Sequence, residues 1–501
     1  MAVKKNILAN FLGKGWTALT SLVFLPVYLK LLGAEAYGLI GIYTILVSWL
    51  AVVDVGLTPA LSREMASFAA GTRRAQSIHN ILRSVEMVST GIAILISLGI
   101  WLASHWLAQN WVQANTLPTD DVALAFTIMG VVTALRLIEN IYSSCIVGLQ
   151  RQIKLNVVHG SAATIRCIGA VLVLVYISPS IQAFFIWQGI VSIGTVLLLA
   201  RVVYKLIPPA PQRARFSLSE LKSIWRFATG TLILTIFGFV LSQTDKIVLS
   251  KLLTLKDFAY YSVAYTTASS LRMFAHPVDQ AIFPKFTELY QKRDEAALAT
   301  TYHKANQLTA VLIGSVGVFI IVFSDSLLAL WLQDVASAAQ VAPIMRILSV
   351  GMILNGLLNG PYYLQMAAGW TELLIKVNFF MMCFFVPIIY ILALEYQALG
   401  AAVAWLLLHL AYFITIVPLM HRKLLRNEIR AWYLKDIGRP ISAALAISIV
   451  FYLLQPPAGH VLFQVIYLSI ALLAVLGISS LAAEHARMEV SAKIRVMLAK
   501  L

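Results

Sequence analysis

The sequence predicts an all-α polytopic membrane protein, and three observations carry that expectation. Hydrophobic residues fill 60% of the 501 positions and charged residues only 12%, against roughly 25% charged in soluble domains. Apolar runs long enough to span recur along the whole chain, and a helix needs about 20 such residues to cross a hydrocarbon core roughly 30 Å thick. The alternation over about 10 residues that marks a barrel strand is absent, and unpaired amides are so costly in lipid that spans of this length must be helical. The runs predict about 14 transmembrane helices.

The first span, 6–32, opens on Asn10-Phe11-Leu12-Gly13-Lys14-Gly15-Trp16 and holds Pro26, which should bend it. It is too long for a signal-peptide core and no small-x-small cleavage site follows, so it is read as helix 1. A tight turn from Gly33 to Gly38 leads to helix 2, 37–60, at whose end stand Asp54, Pro59 and Arg63. Spans at 79–105, 120–147, 152–177 and 181–206 complete a first group. The longest polar connection, Leu206 to Arg226, carries Pro208, Pro209 and Pro211 and reads as an extended linker. Helices at 223–252 and 257–284, the latter with His276-Pro277, open a second group that continues at 301–324, 338–366, 370–394 and 397–420. Two more spans, 437–455 and 459–482, close the chain.

The two groups are related. Lys30-Leu31-Leu32 with Tyr37-Gly38 and Gly41-Ile42 returns as Lys251-Leu252-Leu253 with Phe258-Ala259 and Ser262-Val263, and Pro59 has a counterpart in Pro284. Ile153-Lys154-Leu155-Asn156 returns at nearly the same offset as Ile375-Lys376-Val377-Asn378. Two parallel six-helix repeats follow, with an axis along the membrane normal. The expected organisation is an N-terminal lobe 1–206, a linker 207–222, a C-terminal lobe 223–420, and a final section 421–501 with helices 13 and 14 and a tail.

A net charge of +16 and a pI near 9.7 would suit a nucleic-acid partner, but the charges follow topology. Most of the 38 Lys and Arg fall in loops that share one side, including Arg73, Arg74, Arg213, Arg215, Arg426 and Arg430, while the opposite loops hold Lys30, Lys251 and Lys256. The positive-inside rule then places both termini in the cytoplasm, with anionic lipid as a secondary partner of the basic loops. The cysteines Cys145, Cys167 and Cys383 lie in apolar spans without metal or disulfide spacing and read as small packing residues.

Ionisable groups at bilayer depth cost about 2.5–3.5 kcal/mol each on insertion scales unless they pair or face water. Lys14, Arg136, Arg166, Lys246, Arg272 and Arg346 are the candidate cations, and Glu86, Glu139, Asp245 and Asp279 the carboxylates. Arg136 and Glu139, three apart, can pair on one helix face. Arg272 can serve as a strut near Asp279, and Arg346 can reach a membrane surface. Lys14 and Arg166 have no acidic residue within one turn, which favours a place in a cavity. Asp245 and Lys246, adjacent on a helix, should point about 100° apart and not simply pair. With Gln243 they make a polar break in helix 7. Candidate substrate-binding cations are therefore Lys14, Arg166, Arg272, Arg136 and Lys246, and candidate ion-coupling acids Asp245, Glu86 and Asp279. His159 and His409 read as satisfied core histidines.

The opening motif, Leu25-Pro26-Val27-Tyr28-Leu29-Lys30-Leu31-Leu32-Gly33, Asp54-Val55-Gly56-Leu57-Thr58-Pro59 and Gln243-Thr244-Asp245-Lys246 in helix 7 resemble the polysaccharide transporter family of Wzx-type flippases. Its superfamily also holds multidrug exporters and lipid II flippases. The resemblance spans essentially the whole chain and implies transport of an undecaprenyl-diphosphate-linked oligosaccharide for O-antigen, capsule or exopolysaccharide, from the cytoplasmic to the periplasmic leaflet of the inner membrane. It also implies company with the polymerase and chain-length regulator of such a pathway. A lipid II flippase, or an ion-coupled exporter of amphipathic cations, is the rival within the superfamily. The exporter would need acidic lumen groups, and here candidate cations outnumber carboxylates. A structural membrane protein would not need mid-bilayer charges. No P-loop, H-E-x-x-H or G-x-S-x-G occurs, so neither an enzyme, a cofactor nor a metal site is expected.

Overall fold

The structure, a computed structural model, describes the backbone of residues 2–54, 56–456, 460–485 and 487, and the side chains of these except 2–9, 11, 12 and 223–234. The expected all-α architecture is found: among the described residues, eleven helices are long and apolar enough to cross a membrane. The chain forms two compact units, 1–262 and 263–501.

The first unit contains α1 (Ala2–Leu32), α2 (Ala34–Val53), α3 (Leu57–Ala69), α4 (Ala75–Trp106), α5 (Thr119–Gly148), α6 (Gln152–Tyr176), α7 (Ile181–Leu206) and α8 (Leu218–Leu252). Pro26 lies inside α1 without ending it. Its core is a cluster of Leu61, Met65, Ile78, Leu82, Ile141, Cys145 and Leu199, drawn from α3, α4, α5 and α7. Facing outward are large apolar side chains such as Leu95, Leu102, Ile190 and Leu197, the solvent for which is lipid rather than water.

Helix 2 was expected as one span, 37–60, and is instead two helices. Gly56 adopts the left-handed conformation (φ 75°), the Thr58 backbone N–H donates to Asp54 Oδ1 at 3.2 Å, and the Thr58 hydroxyl donates to Asp54 Oδ2. The aspartate thus restarts the helix after the break, as N-terminal capping groups do. The span expected at 257–284 breaks likewise, into α9 (Leu255–Ser269) and α10 (Arg272–Gln291), where the Ser270 N–H is shared between the Thr266 and Thr267 carbonyls at 3.2 Å.

The linker is strapped to α4. Gln76, Asn80 and Ser84, four apart on one face, accept the backbone N–H groups of Gln212, Arg215 and Ser217 at 2.8–3.0 Å, and His79 Nε2 donates to the Pro208 carbonyl at 2.9 Å. Glu220, in the first turn of α8, is held by Arg73 at 3.2 Å and by the Ser77 hydroxyl at 2.7 Å. The boundary between the two compact units falls within α9.

At the other end of this unit, Glu35 accepts hydrogen bonds from the Asn115 and Thr116 backbone N–H groups and from the Thr116 hydroxyl. Gln113 and Thr254 form an isolated parallel bridge, in which the Leu255 N–H donates to the Gln113 carbonyl at 2.9 Å. Gly38 meets the Leu255 carbonyl so closely that a Cβ there would overlap it.

The second unit begins within α9 and holds α10, α11 (Glu295–Thr309), α12 (Ser315–Val322), α13 (Ser324–Leu332), α14 (Val335–Leu357), α15 (Asn359–Ala367), α16 (Thr371–Leu424), α17 (Ile429–Ala431), α18 (Arg439–Leu453) and α19 (Val461–Ala482). A π-helical turn, Ala310–Gly314, joins α11 to α12, and another, Trp432–Gly438, joins α17 to α18. The spans expected at 370–394 and 397–420 are two helices within the stretch labelled α16, separated by a sharp kink at the non-helical Gln397 (φ 53°, ψ −132°).

Candidate functional site

Lys14 is exposed on α1, beside a polar seam that fastens this helix to α6. Asn10 donates to Gln152 Oε1 at 2.8 Å, Asn156 donates to Asn10 Oδ1 at 2.6 Å, and the Trp16 indole donates to the Thr164 hydroxyl at 2.9 Å. Gly13 lets Asn156 approach, since a Cβ would collide with its amide. The repeated Asn156 therefore serves the α1–α6 contact.

Arg166, which has no acid within a turn along its own helix, is partnered across helices. Its Nη2 lies 2.6 Å from Glu139 Oε1 and 3.1 Å from the Ser192 hydroxyl. The expected Arg136–Glu139 pair is present at 3.2 Å on the other carboxylate oxygen. One carboxylate on α5 thus holds two guanidiniums, and the Tyr43 hydroxyl of α2 lies beside Arg136. The Glu139 side chain is 2% exposed, Arg166 8% and Arg136 26%. His159 borders this centre, hydrogen-bonded to the Ser143 hydroxyl at 3.0 Å.

Asp245 and Lys246 do pair, contrary to expectation. The Lys246 ammonium bonds the Ser242 carbonyl at 2.9 Å and Gln243 Oε1 at 3.2 Å, and stands 3.6 Å from Asp245 Oδ1. The helical angle between neighbouring residues was sound, but a four-carbon stem is long enough to curl back across it. Asp245 is fully buried and accepts from the Tyr261 hydroxyl at 2.6 Å. Glu86 lies elsewhere, on α4, where one oxygen accepts from Tyr142 and Tyr204 at 2.9 and 2.7 Å and the other is 3.6 Å from Arg83.

In the second unit α10 is two-faced. Ala275, Val278, Asp279, Ile282, Phe286 and Leu289 are buried, whereas Arg272, His276, Gln280 and Lys285 are exposed. Phe274 and Phe283 are exposed on the same helix. Asn359 of α15 donates to Asp279 Oδ2 at 2.8 Å, and Arg272 lies within electrostatic range of Asp279 and His409. Past the apolar part of α10, hydrogen bonds from Lys292 and Lys285 hold the Glu288 carboxyl down to about 2. Arg346 pairs with Asp325 and donates to the Ser324 hydroxyl at 2.5 Å. His409 is satisfied, by Asn355 and the Trp405 carbonyl, both at 2.9 Å.

Sequence reasoning missed one buried polar group. Both ring nitrogens of His303 face carboxylates, Nδ1 toward Asp436 and Nε2 toward Glu428 at 3.0 Å, an arrangement that an imidazolium satisfies with its two donors. Gln307 donates to the other Asp436 oxygen at 2.9 Å and accepts the His485 N–H at 2.9 Å. Only the 1% exposure of Asp436 reveals it. The residues of this group, His303, Gln307, Glu428, Asp436 and His485, are scattered along the chain, and no local spacing announces them.

A family described as "Polysaccharide biosynthesis protein" matches residues 3–290. A Shigella flexneri protein named as an O-antigen transporter is 20% identical over 409 residues, 81% of this chain and 94% of its own. The succinoglycan biosynthesis transport protein ExoT of Rhizobium meliloti (strain 1021) is 24% identical over 314 residues, 62% of this chain and 58% of its own. Among solved structures, the lipid II flippase MurJ in an inward closed conformation superposes with a TM-score of 0.70 at 14% identity, over 95% of this chain and 97% of that one. An inward-facing multidrug transporter of the MATE family gives 0.66 at 13% identity, over 81% and 95%. Similarity at this identity establishes a shared fold.

Proposed function

The chain belongs to the polysaccharide biosynthesis protein family, and on that premise we propose that it is a flippase for polyprenyl-diphosphate-linked oligosaccharide repeat units. Its direction is from the cytoplasmic to the periplasmic leaflet, its membrane the inner membrane, and both termini are cytoplasmic. It is a transporter rather than an enzyme. The names of the Shigella and Rhizobium relatives support this reading. The observation that carries it is the set of cationic groups on and beside the apolar spans, with Lys14 exposed on α1 and Arg272 exposed on α10.

Their chemistry suits the cargo. A diphosphate or acidic sugar is all acceptor, and bonds between charged donors and such acceptors are the strong ones where water is scarce. Helix breaks at corresponding places in two repeats, here α2/α3 and α9/α10, are the feature that marks binding sites in repeat-built transporters. Rocking of two lobes would expose the site to each leaflet in turn, while α18 and α19 offer an apolar path for the polyprenyl chain. Asp245, Glu86 and Asp279 remain the acids through which an ion could couple.

The test is surface glycan in a strain whose own transporter gene is deleted. Lys14→Ala and Arg272→Ala should lose it at normal protein level, and Lys14→Arg should retain most. Full activity of both alanine variants would remove the cationic path. A second reading, lipid II transport, is favoured by the superposition on MurJ, and rescue of a strain lacking its lipid II flippase would decide for it.

A further inference from the structure

We propose that the Arg136–Glu139–Arg166 centre of the first unit is a binding site for a small monovalent inorganic anion, of chloride size. Charge is the first ground. Two guanidiniums share one carboxylate at 3.2 and 2.6 Å, which leaves one positive charge in excess where Glu139 and Arg166 are more than nine-tenths buried. A buried charge without full compensation is strongly unfavourable.

The donor count is the second ground, and it points the same way. Arg136 Nε, Arg166 Nε and the Thr133 hydroxyl are buried and have no hydrogen-bond partner among the described residues, and the Tyr43 hydroxyl, which accepts from Arg136, keeps its own hydrogen to donate. Ser192 accepts from Arg166, so its own hydrogen is left to donate. Each oxygen of Glu139 takes one arginine hydrogen bond. His159 offers no acceptor at Nε2: the Ser143 hydroxyl donates to the Glu139 carbonyl at 2.7 Å, so Nε2 must be the donor to Ser143. The centre therefore carries a net positive charge and two buried guanidinium N–H groups without an acceptor. Water would bring as many donors as acceptors and no charge, whereas a halide accepts only and cancels the excess.

Burial selects among anions: Arg166 at 7% exposure and Glu139 at 2% suit a small ion better than a sugar or a diphosphate, and Arg136 is the partly exposed member of the centre. The proposal stands apart from the transport reading. If Arg136 or Arg166 also meets the cargo, the resident anion must leave first.

Chloride-35 NMR on the detergent-solubilised full chain tests it. The wild type should broaden the chloride line saturably, with nitrate competing and gluconate not. Arg136→Gln, which keeps the Arg166–Glu139 pair and removes the excess charge, should abolish that broadening. Tyr43→Phe should weaken the affinity tenfold or more, about the effect of one hydrogen bond to a charged group, and it carries the test alone if Arg136→Gln does not fold. Absence of saturable broadening by folded wild type overturns the proposal. So does equal broadening by wild type and Tyr43→Phe, which would mean adventitious surface binding.

Discussion

Glu139 and His303 show how differently a buried ionic group can be written into a chain. The Arg136–Glu139 spacing is local and legible, because residues three apart share a helix face, but Arg166 reaches the same carboxylate from another helix. His303 has no local partner at all. It ties α11 to the turn before α18 through Asp436, and to Glu428 on the segment between. His303→Ala would leave Asp436 with Gln307 as its hydrogen-bond partner, and loss of one member of a buried ion pair costs about 3–5 kcal/mol. The expected outcome is a large fall in the unfolding midpoint of purified protein, partly reversed by adding Asp436→Asn, since removal of the second charge relieves the first. A midpoint unchanged in the single variant would show that the carboxylates are not held by the imidazole.

At the scale of elements, the linker is where composition and structure diverge most instructively. Three prolines predict an extended chain, and the chain is extended, but it lies along α4 under an i, i+4 ladder of Gln76, Asn80 and Ser84. Side chains at that spacing line one helix face, and an extended segment beside them presents its N–H groups in reach. Each neutral hydrogen bond contributes about 1 kcal/mol net. Asn80→Ala should therefore speed amide exchange at Arg215 by about fivefold, and the Gln76, Asn80 and Ser84 triple alanine variant should deprotect the whole strap. Unchanged exchange would show that the linker is not held by this ladder. The broken helices are a second divergence. Hydropathy sees an unbroken apolar run from 37 to 60, because a break needs only Gly56 in a left-handed conformation and the Asp54 cap, neither of which lowers hydropathy much.

The whole molecule is where orientation belongs. The concentration of Lys and Arg in alternate loops biases insertion. Reporter fusions after Arg74, Arg215 and Arg430 should report cytoplasm, and fusions near Gln113 and Gln333 the opposite side. The reverse pattern would remove the orientation argument and with it the direction of transport.

The sequence by itself determined that the chain is a helical membrane protein of repeated spans, and it singled out the ionisable residues at membrane depth. Both follow from short-range physics: a run of apolar residues must be helical in lipid, and a charge is anomalous there whatever surrounds it. Tertiary structure alone decided which of those charges are spent on one another. Glu139 takes Arg166 as well as Arg136, and Lys246 curls onto Asp245, while Lys14 and Arg272 stay exposed. The fold also assembled the His303 group and the Gln113–Thr254 bridge from distant segments. Pairing across helices depends on rotation and register, and these are set by side-chain packing over the whole bundle, which no local window of sequence contains.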